Sequence, residues 1–341
     1  MARLALAAHD PGGAAVLAAA APDLRAAGHD LFWLPGGPAA KLWREAGEAA
    51  PEAMAAPAAA AALERAGPEL LLTGTSFHDG FERALWAAAR RLRVPSLAVL
   101  DAWTNIERRF QSSDGASEQP DAFGVMDEAT RADVAAAGWC RARLFVTGQP
   151  HLAARTERLK RLRRGRRGGE RKQVVFFSEP IIEDFGPTAR GFTQFTVATL
   201  AAEALGANLR VHFSIKPHPR ESESGWRDWL TRAPRATLAV GDTESLLGGA
   251  DGILGMTTMV LLEAALAGIP VLSLQPDRVG PTNPLLDSTV PVVARRADVP
   301  RLLSGWPAAA PAPAPWAGEI LSWGGARLTT AVADILSAGR G

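Results

Sequence analysis

Short apolar segments alternate with helical segments along most of the sequence, and this alternation is the strongest constraint on the fold. The strand-like run Arg3–Ala8 is followed by a turn and an Ala-rich helix, and Leu70–Thr73 and Ser96–Leu100 flank an amphipathic helix at Phe81–Leu92. After a break, the alternation starts again at Val174–Ser178. Strands that alternate with helices form parallel βαβ units. We therefore predict an α/β fold with two doubly wound, Rossmann-like domains that face each other across a cleft.

The break in the alternation is a basic tract, Arg155–Lys172, which holds ten Lys or Arg residues and two Glu residues. We predict an N-terminal domain over residues 1–152, a basic linker over residues 153–172 and a C-terminal domain over residues 173–341. The C-terminal domain is expected to end in a helix or helix pair within Gly318–Ala338. The tract is either a solvated linker or a patch that holds the chain at an anionic membrane, where each basic residue contributes about 1 kcal/mol at best.

Composition excludes several classes of protein. The net charge is +1, and the sequence on either side of the basic tract is mildly acidic, whereas nucleic-acid enzymes spread positive charge over a folded face. No apolar run reaches the roughly 18–20 residues that span a bilayer. The single cysteine, Cys140, cannot form an internal disulfide, which agrees with a reducing compartment. We expect a cytoplasmic protein that does not bind nucleic acid.

The most informative segment lies at residues 250–274, where a predicted strand ends at Leu254 and Gly255 permits a tight turn. Thr257 or Thr258 then caps a helix. Free backbone N–H groups at a helix start, together with hydroxyl groups, bind phosphate. Glu263 follows about one and a half turns later, within reach of a ribose whose phosphates lie on the cap.

This segment, with its helical Glu and the following Gly268-Ile-Pro-Val strand, resembles the donor-nucleotide site of GT-B glycosyltransferases and of the UDP-N-acetylglucosamine 2-epimerases. The resemblance covers most of the chain at the level of the fold. It implies that Gly255, Thr257 and Thr258 hold the donor phosphates and that Glu263 binds the ribose hydroxyls. It implies no cofactor besides the nucleotide-sugar substrate.

A second motif, Ile215-Lys-Pro-His-Pro-Arg-Glu221, directly follows a predicted strand. Its prolines hold His218 in an extended loop beside Lys216 and Arg220, where it is placed to donate to a phosphate. The His-Pro pair resembles that of bacterial sialyltransferases, Kdo transferases and glycerophosphotransferases, which use cytidine nucleotides. Ser178, at the end of the domain's first strand, is a further candidate for the donor site.

In the N-terminal half, the loop His9-Asp-Pro-Gly-Gly13 follows the first predicted strand. In many GT-B enzymes this loop carries the general base, and His9 or Asp10 suits that role near neutral pH. Two further strands end in polar loops that point to the same edge of the sheet. These loops add candidate residues around an acceptor, namely His78, Asp79, Asp101, Trp103 and Arg109, with Asp79 and Asp101 as further catalytic candidates.

The leading hypothesis is a glycosyltransferase that moves a sugar from a nucleotide donor to a carbohydrate or lipid-linked hydroxyl acceptor. The 2-epimerases place catalytic carboxylates in a Gly-Asp-Thr loop and a Glu-Ala-Gly-Leu-Arg loop; here Thr75 replaces the first carboxylate and the second motif is absent. A 2-epimerase is the enzymatic alternative, and a two-domain binding protein, which would require export, is the alternative from another class. Neither candidate site contains Asp-x-Asp or a His/Cys cluster, so we predict no metal.

Overall fold

The computed structural model describes residues 1–77, 79–103, 105–111, 117–166, 169–280, 290–307 and 325–339. The chain forms two compact units. The first comprises Met1–Ala154 together with Glu319–Gly341, and the second comprises Arg155–Gly318. Each unit has its own parallel sheet, so the prediction of two doubly wound α/β domains is confirmed.

The first unit is built from strands that alternate with helices. Its strands are β1 (Arg3–Ala8), β2 (Asp30–Pro35), β3 (Leu70–Thr73), β4 (Ser96–Val99), β5 (Ala122–Val125) and β6 (Arg143–Val146). Its helices are α1 (Pro11–Ala26), α2 (Ala39–Glu45), α3 (Ala56–Ala66), α4 (Phe81–Leu92) and α5 (Glu128–Ala137), and α6 (Pro150–Arg164) continues into the second unit. The strands lie parallel in the order β2-β1-β3-β4-β5-β6. The strand order therefore reverses at the β1/β3 pair.

Both faces of this sheet are covered, which explains why its strands are continuously apolar. Leu4 and Leu6 of β1 pack into one core cluster and Ala5 and Ala7 into another, on the opposite face. Burial on both faces is characteristic of parallel strands between helices. Gly28 has a φ of +85° just after α1, a conformation that favours glycine and ends the helix where the sequence predicts its end.

The second unit repeats this plan. Its strands are β7 (Lys172–Phe177), β8 (Val211–Lys216), β9 (Ala236–Leu238), β10 (Gly252–Gly255), β11 (Val271–Leu274) and β12 (Val292–Val293). Its helices are α7 (Ile181–Phe185), α8 (Gln194–Gly206), α9 (Glu223–Leu230), α10 (Thr243–Gly249), α11 (Met259–Leu266) and α12 (Val299–Leu303). The strands lie in the order β12-β11-β10-β7-β8-β9, so the order reverses at the β7/β10 pair. Ligands of open α/β sheets bind at such reversal points, beyond the carboxyl ends of the strands.

The C-terminal helix differs from the prediction, which assigned it to the second domain. Helix α13 (Ala326–Ala338) belongs to the first unit. Its apolar face, which includes Leu328 and Val332, is buried in the same cluster as Leu17 and Leu24 of α1. A long-range packing partner of this kind is invisible to sequence periodicity.

The basic tract also differs from the predicted linker. Its first part is helix α6, and Leu159 is fully buried against Leu247 and Leu261 of the second unit. Because apolar side chains of the tract pack into a core, this stretch is a structural element rather than a spacer. In the residues that the structure describes, no helix is long and apolar enough to cross a membrane.

Candidate functional site

The candidate residues His9, Asp10 and Asp79 of the first unit lie in the loops that follow β1 and β3, the two strands at which the strand order reverses. Gly13 and Gly74 pack backbone to backbone there, and a Cβ atom on Gly13 would lie 2.9 Å from the Cα atom of Gly74. Only glycine permits this approach. The contact brings the loops together, and the Phe77 N–H donates to Asp10 Oδ2 at 3.3 Å.

His9 is held between two carboxylates. Its Nδ1 lies 2.8 Å from Asp10 Oδ1, and its Nε2 lies 3.6 Å from Asp79 Oδ2. Asp79 is itself oriented by the Phe81 N–H, which donates to Oδ1 at 2.7 Å. When Asp10 accepts the Nδ1 proton, the lone pair of the neutral ring resides on Nε2, the atom nearer to Asp79. The structure thus brings together three residues that the sequence predicted as catalytic.

A cavity of about 470 Å³ opens beside this group, and His9, Asp79 and Phe81 contribute to its wall. Gly37 and Met54 contribute to the same wall. Gly37 touches the His9 ring so closely that a Cβ atom there would overlap it. The volume falls within the range of about 300–1,000 Å³ that is common for small-ligand sites.

Glu82 of α4 joins the loops after β1 and β3, and the sequence analysis did not predict a role for it. The side chain is buried, with 2% of its surface exposed. Its Oε1 accepts hydrogen bonds from the His9 N–H at 2.8 Å and from the Ser76 hydroxyl at 2.9 Å. Burial raises the pKa of Glu82. The available signal was a carboxylate on the otherwise apolar face of the helix predicted at Phe81–Leu92.

Asp101 lies in a different environment from His9. Its Oδ1 accepts from Arg109 Nη1 at 2.5 Å, and the same guanidinium donates to the Thr75 carbonyl oxygen and hydroxyl, each at 3.1 Å. Arg109 is buried, and the Asp101 carboxylate lies so close to Gly12 that a Cβ atom there would overlap it. The predicted catalytic carboxylate is therefore one half of an ion pair that fixes the loop.

Two other acceptor-site predictions have different outcomes. Trp103 donates from Nε1 to Asp127 Oδ2 at 2.6 Å, so its indole is tied to the start of α5. His78 lies outside the described residues.

In the second unit, the strand ends at the β7/β10 reversal hold a carboxylate. The Thr257 N–H donates to Glu179 Oε2 at 2.6 Å, and the Thr257 hydroxyl donates to Oε1 at 2.7 Å. Burial raises the pKa of Glu179, and the hydrogen bonds from Thr257 oppose that rise. Thr258 caps α11 by accepting from the Val260 N–H at 3.2 Å. In the turn after Gly255, which the sequence analysis predicted to bind phosphate, the N–H and hydroxyl of Thr257 are therefore engaged by the chain's own Glu179.

The Lys-Pro-His-Pro-Arg loop is organised by a second carboxylate, Glu221. Its Oε1 accepts from the Ser178 hydroxyl at 2.7 Å, and its Oε2 accepts from the His218 N–H at 2.5 Å. Burial raises the pKa of Glu221. The structure therefore joins two predicted donor-site residues, Ser178 and His218, through a carboxylate to which no role was assigned.

The surroundings of His218 favour the neutral form of its ring. Burial, followed by the charge of Arg220, lowers the pKa of His218. Its Nδ1 accepts from the Arg220 N–H at 3.2 Å, so the proton of the neutral ring resides on Nε2. Arg220 forms a bidentate ion pair with Asp184 at 2.5 and 2.8 Å. Lys216 donates from Nζ to the Gly241 carbonyl oxygen at 2.9 Å.

Glu263 does not stand free beside the phosphate turn, as the sequence analysis expected. Its carboxylate forms an ion pair with Arg155 of α6, and its side chain is 13% exposed. Burial raises the pKa of Glu263, and the charge of Arg155 opposes the rise. Arg158 is likewise paired with Glu244, at 3.3 Å. Part of the basic tract is therefore neutralised within the second unit, and its contact with an anionic membrane stays a prediction.

Among the residues that the structure describes, no group of three or more His, Cys, Asp or Glu side chains is arranged to hold a metal ion. No protein-family model matches the sequence, and no curated protein sequence matches it.

Solved structures do resemble the chain. The UDP-GlcNAc 2-epimerase from Neisseria meningitidis bound to UDP-GlcNAc matches 98% of this chain and 100% of its own, with a TM-score of 0.66 and 13% identity. The spinosyn forosaminyltransferase SpnP matches 97% and 99%, with a TM-score of 0.55 and 14% identity. MurG from Acinetobacter baumannii matches 98% and 99%, with a TM-score of 0.50 and 15% identity. The chain has the GT-B fold. The predicted likeness to the GT-B and epimerase-like superfamily is confirmed, and at these identities it concerns the fold alone.

Proposed function

We propose that the chain is a metal-independent glycosyltransferase whose second unit binds the nucleotide-sugar donor and whose first unit binds a hydroxyl acceptor. The observation that carries the proposal is the turn at Thr257, whose N–H and hydroxyl already hold a carboxylate at the reversal point of the sheet. A turn that binds one anion at a helix start suits a phosphate equally well. The donor phosphates would take the place of Glu179.

The neighbouring loop supplies further support for a leaving phosphate. His218 offers an Nε2 proton, and Lys216 provides positive charge two residues before it, whereas the charge of Arg220 is already paired with Asp184. Donors that are already oriented stabilise negative charge as it develops on the departing nucleotide. Glu221 fixes the backbone at His218, and this contact keeps the loop in shape.

In the first unit, His9 is the proposed base. Its Nε2 would take the proton of the acceptor hydroxyl, and Asp10 at Nδ1 would stabilise the imidazolium that forms. Asp79, 3.6 Å from Nε2, would contact the same hydroxyl or its neighbour. The cavity of about 470 Å³ beside these residues is large enough for a sugar-sized acceptor.

One observation favours transfer over 2-epimerisation. In the loop where the epimerases carry a catalytic Asp, this chain has Thr75, which is buried and accepts from Arg109. A buried hydroxyl bound to a guanidinium does not replace a carboxylate as an acid or base. The acid–base groups of the first unit are instead gathered at His9.

The test begins with thermal unfolding in the presence of UDP, GDP, CDP and CMP, which identifies the donor nucleotide by a raised midpoint. The matching nucleotide sugar is then incubated with and without candidate acceptors. Acceptor-dependent release of the nucleotide supports the transferase. Formation of an epimerised sugar from UDP-N-acetylglucosamine without an acceptor would establish the epimerase instead, and no binding of any nucleotide would refute the donor site.

A further inference from the structure

A cavity in the described part of the second unit runs along helix α8, from Leu209 beside the amino ends of the strands toward Phe195 at the start of the helix. Its volume is about 890 Å³. Arg171, which immediately precedes β7, and Arg235, which immediately precedes β9, contribute to its wall, whereas Ser178 follows the far end of β7. A strand rises about 3.3 Å per residue, so roughly 20 Å separate the two ends of β7. No candidate residue of the donor site lines the cavity, which is therefore distinct from that site.

Positive charge dominates the polar part of this wall. Four arginines line it, namely Arg171, Arg232, Arg235 and Arg296, and Glu203 is the one carboxylate among the described lining residues. Arg296 is partly neutralised by Asp277 at 3.2 Å. Arg235 donates to the carbonyl oxygen of Gly206, another lining residue, which places its guanidinium at the wall. Arg171, Arg232 and Arg235, which lie next to the amino ends of β7 and β9, are suited to binding a phosphate or carboxylate.

The remainder of the wall is apolar and aromatic. Phe195 and Leu200 of α8, Phe213 of β8 and Trp229 of α9 all contribute to it. Phe213 and Trp229 belong to the buried core beneath the wall, whereas Phe195 and Leu200 are partly exposed. Leu209, at the cavity wall, is 67% exposed. A ligand here gains from burying a hydrocarbon part as well as from its charge.

We propose that this cavity binds an amphipathic phosphate, with the headgroup at Arg171, Arg232 and Arg235 and a single alkyl chain against Leu209, Leu200 and Phe195. The volume of about 890 Å³ lies within the range of about 300–1,000 Å³ for sites of that kind. The site is separate from the proposed transferase chemistry and does not depend on it.

The test is isothermal titration calorimetry of the full chain with decyl phosphate below its critical micelle concentration. Inorganic phosphate and neutral decyl maltoside are titrated in parallel. Saturable binding of decyl phosphate, with each of the other two at least tenfold weaker, is expected because the site needs both parts of the ligand. Equal affinity for inorganic phosphate or for decyl maltoside, or no saturable binding of decyl phosphate, would overturn the proposal.

Variants locate the binding. Arg232→Ala is expected to weaken decyl phosphate binding roughly ten- to hundredfold, the effect of losing one charge-assisted hydrogen bond. Arg227→Ala is the matched control, because Arg227 lies on α9, five residues before Arg232, does not line the cavity and pairs with exposed Glu223. Ala202→Trp places an indole in the path of the alkyl chain and is expected to weaken binding at least tenfold, and thermal unfolding verifies that each variant folds. Lys216→Ala, in the donor loop, should leave the affinity unchanged. Loss of binding in Lys216→Ala, or wild-type affinity in Arg232→Ala, would place the ligand elsewhere and refute the inference.

Discussion

Replacing Glu179 by alanine is expected to tighten nucleotide binding, which is an unusual result for removal of a residue at a binding site. In the wild type the donor phosphate has to displace a carboxylate that receives two hydrogen bonds from Thr257, at 2.6 and 2.7 Å. A hydrogen bond to a charged group contributes about 1.5–3 kcal/mol. If displacing the Glu179 carboxylate costs the equivalent of one such hydrogen bond, removing that carboxylate tightens nucleotide binding roughly ten- to 150-fold.

The assay is calorimetric titration with the nucleotide identified by thermal unfolding, at pH values from 5 to 8. Because the pKa of Glu179 is raised, the competing carboxylate becomes charged only as pH increases through that raised value. Wild-type affinity should therefore fall with rising pH relative to Glu179→Ala, in which no such group titrates. Comparing the two proteins removes the contribution of the nucleotide's own phosphate ionisation.

Two further variants test whether the effect depends on the charge of Glu179 and on its position. Glu179→Gln retains a hydrogen-bond acceptor without the charge and should lie between the wild type and Glu179→Ala. Glu223→Ala removes an exposed carboxylate of the same unit and should leave the affinity unchanged. Unchanged or weaker nucleotide binding in a folded Glu179→Ala protein would show that Glu179 does not compete with phosphate, and the donor-site proposal would lose its principal support.

Three other predictions follow from the geometry. His9→Ala should lower turnover roughly a hundredfold or more while nucleotide affinity in the same calorimetric assay stays unchanged, and wild-type turnover would exclude His9 as the base. Glu263→Ala should destabilise the protein by about 2 kcal/mol in urea unfolding, because Arg155 then keeps only its longer contact with Glu244, at 3.7 Å. Restored stability in the Glu263→Leu, Arg155→Leu double variant would verify the cause, and wild-type stability of Glu263→Ala would contradict it. The pKa of Glu82 is raised in the folded state, so the free energy of unfolding should fall as pH rises through that pKa. Glu82→Gln should flatten this pH dependence in urea unfolding from pH 4 to 8. The same pH dependence in the wild type and the variant would contradict the argument.

The fold was predictable because its signal is local. Strands such as Arg3–Ala8 and Leu70–Thr73 coincide with short apolar runs, and the helix at Phe81–Leu92 shows clear amphipathic spacing. Helices α2 and α3 were not predicted: α2 has only seven residues, and α3 is a run of alanines broken by a proline near its start, a sequence that also fits a connecting segment. Helix α13 was predicted, but its partner was not, since packing on α1 depends on contacts far apart in sequence.

The candidate site was predictable in part. Loops that follow parallel strands lie at one edge of a sheet, and for that reason His9, Asp10 and Asp79 were expected together. The partners of Thr257 and Glu263, which are Glu179 and Arg155, were not expected. They depend on how side chains from separate elements meet after folding and on the packing of α6, and sequence spacing reveals neither. Glu82, Glu179 and Glu221 share this property: each is a carboxylate whose role comes from burial and from its hydrogen-bond donors, neither of which the sequence spacing reveals.

The return of α13 to the first unit has a consequence for how the protein is made. The second unit, Arg155–Gly318, is an insertion between two parts of the first. Domains fold as units while the chain leaves the ribosome. The whole sequence of the second unit is therefore synthesised before residues 326–338, which cover the apolar face of α1 in the first unit. The part of the chain that is synthesised first is completed last.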